Sequence, residues 1–143
     1  MFKIFRIILL LIFIASPSSV HAHVQHYYDL KRIEFNIYRN NKLIGTHIFF
    51  FEKSGEELSV ESEINFEIKK FGVVFYDYHV KGTEIYKDGK LIKFNSKTDQ
   101  NGKKKYVNMI LENGEYTING SSYQGKAPID YLLGTWWNHS IVK

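Results

Sequence analysis

Polar and apolar residues alternate along most of this chain. From Leu58 to Ile68 the even positions read Leu58, Val60, Ser62, Ile64, Phe66 and Ile68, and the odd ones Ser59, Glu61, Glu63, Asn65 and Glu67. A period of two with one wet face predicts an antiparallel strand, because successive side chains of a strand point to opposite sides of the sheet. Looser alternation over 33–37 and 74–80 predicts two more strands. In the second, Tyr76 and Tyr78 share a side with Val74 and Val80, while Asp77 and His79 face the other way. The even face of 58–68, together with Ile33, Phe35 and Ile37, is therefore the expected core, since a one-residue slip would bury Glu61, Glu63 and Glu67 instead. Phe49, Phe50 and Phe51 are consecutive, so both faces of their strand carry a ring, which predicts burial on both sides.

Turn signals punctuate these runs at hairpin spacing: Asn40-Asn41, Lys53-Ser54-Gly55, Asp88-Gly89, Asn101-Gly102 and Asn113-Gly114. The expected architecture is all-β and mainly antiparallel, an up-and-down meander of about seven strands forming a curved half-barrel. Only the tail loses the alternation. Pro128 suits the first turn of a helix, so 128–133 is expected to form a short lid helix carrying Leu132 and Leu133. Of the adjacent tryptophans beyond it, Trp137 is expected to plug the core and Trp136 to lie nearer solvent or a pocket mouth, with Asn138 capping the helix-end carbonyls.

The N-terminus adds a destination. Lys3 and Arg6 precede an apolar run from Ile7 to Ile14, followed by Pro17, Ser18, Ser19 and a Val20-His21-Ala22 step. That order reads as a secretory signal peptide over 1–22, cut after Ala22, since a spanning helix needs about 20 apolar residues. The alternative is an uncleaved anchor. Residues 23–143 then form one β-rich envelope domain, periplasmic or secreted, with no membrane span after cleavage.

Charge excludes more than it suggests. The chain carries 19 Lys and Arg against 15 Asp and Glu, and the leader takes Lys3 and Arg6 with it. The dense Lys103-Lys104-Lys105 run sits beside an Asn-Gly turn, where a solvated loop is the simpler reading than a nucleic-acid site. No cysteine is present, so there is no disulfide framework and no thiolate metal site. Burial has to come from the aromatic residues, 16% of the chain.

Several short stretches in order resemble a known family: Ile44-Gly45-Thr46-His47, Phe75-Tyr76-Asp77-Tyr78-His79, Glu84-Ile85-Tyr86-Lys87-Asp88-Gly89, Thr98-Asp99-Gln100-Asn101-Gly102 and Trp137-Asn138. Over Tyr27 to Asn138 the chain resembles the secreted proteobacterial family catalogued as domain of unknown function 6134. The resemblance implies a signal-bearing envelope β protein without an assigned activity, distantly similar in shape to periplasmic half-barrels that cradle lipids or lipoproteins. It carries over no catalytic residue. It also implies a proline after Trp-Asn, where this chain has His139, and further C-terminal strands that are missing here, which would leave an exposed sheet edge.

Candidate chemistry is sparse. A chain beginning at His23 offers its amine and ring nitrogen to copper, with His26, His47 or His79 supplying a second imidazole; a frayed terminus is the alternative. Glu61, Glu63 and Glu67 form a row that suits ion pairs with lysines of a neighbouring strand, such as Lys93 or Lys97. No Gly-x-Ser-x-Gly, phosphate loop, dinucleotide fingerprint or His-Glu-x-x-His motif occurs, and no cofactor is implied. Three readings follow. The first is a noncatalytic binder of an apolar or amphipathic, lipid-like ligand held by Trp136, Trp137, Phe49, Phe51, Tyr76 and Tyr78. The second is an envelope enzyme using His79, Asp77 or Asp99 as acid or base. The third is an envelope assembly factor that engages a partner protein through its sheet edge.

Overall fold

The computed structural model describes residues 29–131, 133–135 and 137–138; the expected signal peptide, His23, His26 and Trp136 lie outside them. Eight strands follow one another: β1 (Arg32–Arg39), β2 (Lys42–Ser54), β3 (Glu57–Lys70), β4 (Val73–Lys87), β5 (Lys90–Gln100), β6 (Lys103–Glu112), β7 (Glu115–Gly120) and β8 (Gln124–Pro128). They form one sheet in sequence order, every neighbouring pair antiparallel. Among the described residues the sheet does not close, since β1 and β8 are its two edges.

Turn chemistry sets this simple order. Asn40-Asn41, Asp88-Gly89, Asn101-Gly102 and Asn113-Gly114 all hold positive φ at both residues, the backbone that lets a two-residue turn match the twist of its strands. Register shifts at Ile37/Tyr38, Ile68/Lys69 and Ile85/Tyr86 add local bends. At Gly45 a Cβ would collide with the Asn65 carbonyl oxygen and with Phe66, so β2 and β3 approach there as only glycine allows.

One face of the sheet, here called inner, carries the core. Pairing aligns Phe51 with Val60 and Glu84, Leu58 with Tyr86, and Phe94 with Met109 and Ile118. Phe49, Phe51, Leu58, Val60, Tyr86, Leu91, Met109, Tyr116 and Ala127 are buried there, and Trp137 closes over them. The even face of β3 is the inner one, but only its Leu58 end is deeply buried. Ile64, Phe66 and Ile68 are half-buried and Phe35 is exposed, so the expected core occupies half of its predicted length.

Three other expectations are corrected. Among the described residues the meander has eight strands where about seven were expected, because the segment entering the expected helix pairs with β7 through Ala127↔Tyr116 and Pro128↔Glu115. Pro128 ends an edge strand, where its missing N–H costs no ladder bond. It then makes a turn in which Tyr131 N donates to Pro128 O at 3.0 Å. No lid helix forms among the described residues. The triple phenylalanine is buried on one side only, for Phe50 is exposed with Arg32 above its ring. Of the glutamate row, Glu63 pairs across the β3–β4 ladder as expected but with Lys81, at 2.5 Å, whereas Glu67 pairs with Lys69 of its own strand at 2.7 Å.

These placements separate two substitutions on one strand. Val60→Asp introduces an unpaired charge at a fully buried position and should cost several kcal/mol, on the order of 3–5. Glu63→Gln, on the outer face, loses only a surface ion pair with Lys81 and should lower the urea midpoint only slightly, far less than Val60→Asp does. Equal effects would contradict the face assignment.

Candidate functional site

The inner face holds a buried carboxylate. Glu84 sits on β4 between Val60 and Phe94 in the pairing pattern and is 2% exposed. Tyr86, two residues along on the same face, donates its hydroxyl to Glu84 Oε2 at 2.6 Å. The Trp137 indole, also 2% exposed, donates Nε1–H to both carboxylate oxygens, at 3.4 and 3.2 Å. Its ring meets Phe51 and Tyr86 edge-on, each at 5.5 Å between centroids. Asn138 hydrogen-bonds through its side chain to Tyr86 instead of capping a helix. Trp-Asn thus closes a polar knot inside an apolar core, satisfying a group that would otherwise be costly to bury.

Burial pushes the Glu84 carboxyl up from 4.5 to about 7, against the opposing pull of the hydrogen bonds from Tyr86 and Trp137. Burial likewise raises Tyr86 and lowers His47. Sequence reasoning passed over Glu84 because a glutamate within a strand looks solvated. The parity that puts Tyr78 and Val80 on the apolar side also puts Glu84 there, and that was the available signal.

Beyond Trp137 the inner face stays open. A groove of about 460 Å³ runs over β1 to β4, lined by Phe35, Ile37, His47, Ile64, Phe66 and Tyr78. Phe66 stacks on Tyr76 at 5.7 Å and meets Tyr78 at 5.2 Å, making an aromatic shelf. On the opposite wing a second apolar recess of about 570 Å³ lies between β5–β8 and the tail, with Met109, Ile118 and Leu133 in its wall.

The predicted ligand contacts therefore separate. Tyr78 lines the first groove and Tyr76 stacks beside it, while Phe49, Phe51 and Trp137 belong to the packed core. Trp136 lies outside the described residues. The acid/base candidates gather on the outer face: His79 Nε2 contacts Asp77 Oδ1 at 2.6 Å, His79 Nδ1 meets Asn65 Oδ1 at 2.7 Å, and Asp99 is opposite His79 in register. Both ring nitrogens of His79 are engaged. The hydroxyls of Ser96 and Thr98, paired with Gly82 and Val80, belong to the other face. His47 and His79 lie on opposite faces and cannot share an ion, and among the described residues no three His, Asp or Glu side chains cluster to hold a metal. Nor is any helix there long and apolar enough to cross a membrane.

A family model described as Domain of unknown function (DUF6134) matches residues 35–143. No curated protein and no solved structure matches the chain.

The buried knot makes stability depend on pH. Because the folded protein holds the Glu84 proton more tightly than the unfolded chain, its contribution is full below about 4.5, is lost as pH rises to about 7, and then levels off. Relative to Glu84→Gln, the wild type should lose roughly 3 kcal/mol between pH 4.5 and 8. Urea midpoints of both proteins across that range check it, and parallel profiles would contradict it. Trp137→Ala should cost about 3–5 kcal/mol at about pH 5 in the same assay, and more above the Glu84 midpoint, where the ionised carboxylate loses a donor.

Proposed function

The chain belongs to the family described as Domain of unknown function (DUF6134), and we propose that it is a noncatalytic envelope protein whose curved sheet binds an apolar or amphipathic, lipid-like ligand. The observation that carries this reading is the open groove beside the sealed core. The tail covers Phe51, Leu58, Val60 and Tyr86, yet Phe35 stays 45% exposed on the same face. At about 460 Å³ the groove falls within the roughly 300–1,000 Å³ of small-molecule sites. Its rings and aliphatic side chains suit an acyl chain, and Asn36 and His47 supply polar atoms in its wall. Envelope location rests on the order of charged, apolar and small residues in 1–22, which matches an export signal.

Mass spectrometry under native conditions, on protein recovered from periplasm, tests the reading. A lipid-sized adduct should accompany the wild type and be largely lost from Phe35→Ser with Tyr78→Ser. These positions are exposed or half-buried, so the folded state should survive the changes. Wild-type protein that emerges empty, or an adduct retained by the double variant, would contradict the assignment.

A further inference from the structure

Five turns of the meander hold both central residues at positive φ, and four of them begin with Asn or Asp. The fifth begins with Phe71, at φ 54°, ahead of Gly72. Asn and Asp tolerate this left-handed backbone because their short side chains bond locally; a phenylalanine has no such compensation. Packing does not supply it either, for the Phe71 ring is 94% exposed. An unfavourable backbone carrying an unpacked ring points to a role outside the fold.

The surroundings specify that role. Phe75 is 76% exposed on the same hairpin, Val73 lies exposed between them, and Tyr38 and Leu43 are exposed at the neighbouring β1–β2 tip. A crevice of about 590 Å³ joins the two tips, with Arg39, Lys42, Lys69 and Lys70 in its walls. Lys70 Nζ stands 5.7 Å from the Phe71 ring centroid. No acidic residue occurs within 38–43 or 68–75, Glu67 just below the β3–β4 tip pairs with Lys69 at 2.7 Å, and the third tip at this end, β5–β6, adds Lys103, Lys104 and Lys105 with Asp99 opposite Lys104. The turns at the other end carry Glu52, Glu56, Glu57, Asp88, Glu112 and Glu115 against Lys53, Lys87 and Lys90, and no large apolar side chain is exposed within those turns, although Leu30, Ile129 and Tyr131 are exposed in the flanking segments. The sheet is therefore polarised, with basic tips bearing exposed rings at one end and turns of net negative charge at the other.

We propose that the β1–β2 and β3–β4 tips dock on an anionic lipid bilayer, with Phe71, Val73 and Phe75 entering the interface while Arg39, Lys42, Lys69 and Lys70 meet the lipid phosphates. The order of the groups favours a bilayer over a protein partner. The hairpin apex is apolar and the cations stand one step behind it, as acyl chains and phosphates are ordered in depth. The acidic far end would be held away from the same surface by repulsion. The inner-face groove adjoins both tips through Ile37 and Phe66. The docking proposal nevertheless stands without a groove ligand, and its test does not ask whether the groove fills.

The chain contains no cysteine, so single labels can be placed in the full-length protein as the cell processes it. Val73→Cys and Ser54→Cys carry an environment-sensitive fluorophore at opposite ends of the sheet. With vesicles of phosphatidylethanolamine and phosphatidylglycerol the Val73 label should shift to the blue, and the Ser54 label should not. Phosphatidylcholine vesicles should leave both unchanged. Lys69→Glu with Lys70→Glu should weaken vesicle binding by about tenfold or more. Phe71→Ser with Phe75→Ser should do likewise, with the far-ultraviolet circular dichroism preserved in both. Association through another part of the chain would leave the Val73 label unshifted. That result, an equal shift at Ser54, or binding indifferent to both double variants would overturn the proposal, and capture of a protein by the tips without any vesicle response would reassign the surface.

Discussion

A single sheet can bury one face only if something else covers it, and here the cover is pinned by one contact: the Trp137 indole on the Glu84 carboxylate. The dependence runs both ways. A carboxylate among Phe51, Val60 and Tyr86 is tolerable only because Trp137 and Tyr86 donate to it. The tail, with no helix of its own among the described residues, stays on the sheet because its indole fills the space above the carboxylate. Moving Trp137 away would leave Glu84 a buried acceptor short of a donor, and the carboxyl would resist ionisation still more.

Where the tail lies also decides what remains open. It covers the ends of β2 to β4 near Leu58 and leaves the opposite ends, near Phe35 and Phe66, without a lid. The same side chains that would have extended the core instead form an aromatic shelf. Turn chemistry then separates the two ends of the sheet. Tips with Lys, Arg and bare rings stand at the open end, and glutamate-rich turns at the end where the core is sealed. Groove, tips and seal all follow from where one short segment crosses an eight-stranded sheet.

Much of this was legible in the residue order, for identifiable reasons. Strand β3 reads cleanly because its polar side is charged, so parity is unambiguous from Leu58 to Ile68. Four of the turns read cleanly because Asn-Asn, Asn-Gly and Asp-Gly have few other uses. The Phe71–Gly72 turn did not, since phenylalanine is foreign to that position. The tail misled because Pro128 serves equally at the start of a helix and at the end of an edge strand, and only its pairing with β7 decides between them. Glu84 and Asn138 were visible as members of family-like stretches, but their meeting through Tyr86 spans 54 residues and depends on how the tail returns, which periodicity does not encode.

The most direct test of the account is the indole N–H of Trp137, observed by nuclear magnetic resonance in a Trp136→Phe background. If the indole is bonded to a buried carboxylate, its proton exchanges slowly with solvent and its chemical shift titrates with a midpoint near the Glu84 value of about 7. The titration should vanish in Glu84→Gln while the slow exchange persists. An indole proton that exchanges at the solvent rate, or a titration unchanged by Glu84→Gln, would contradict the claim that this contact holds the tail to the sheet.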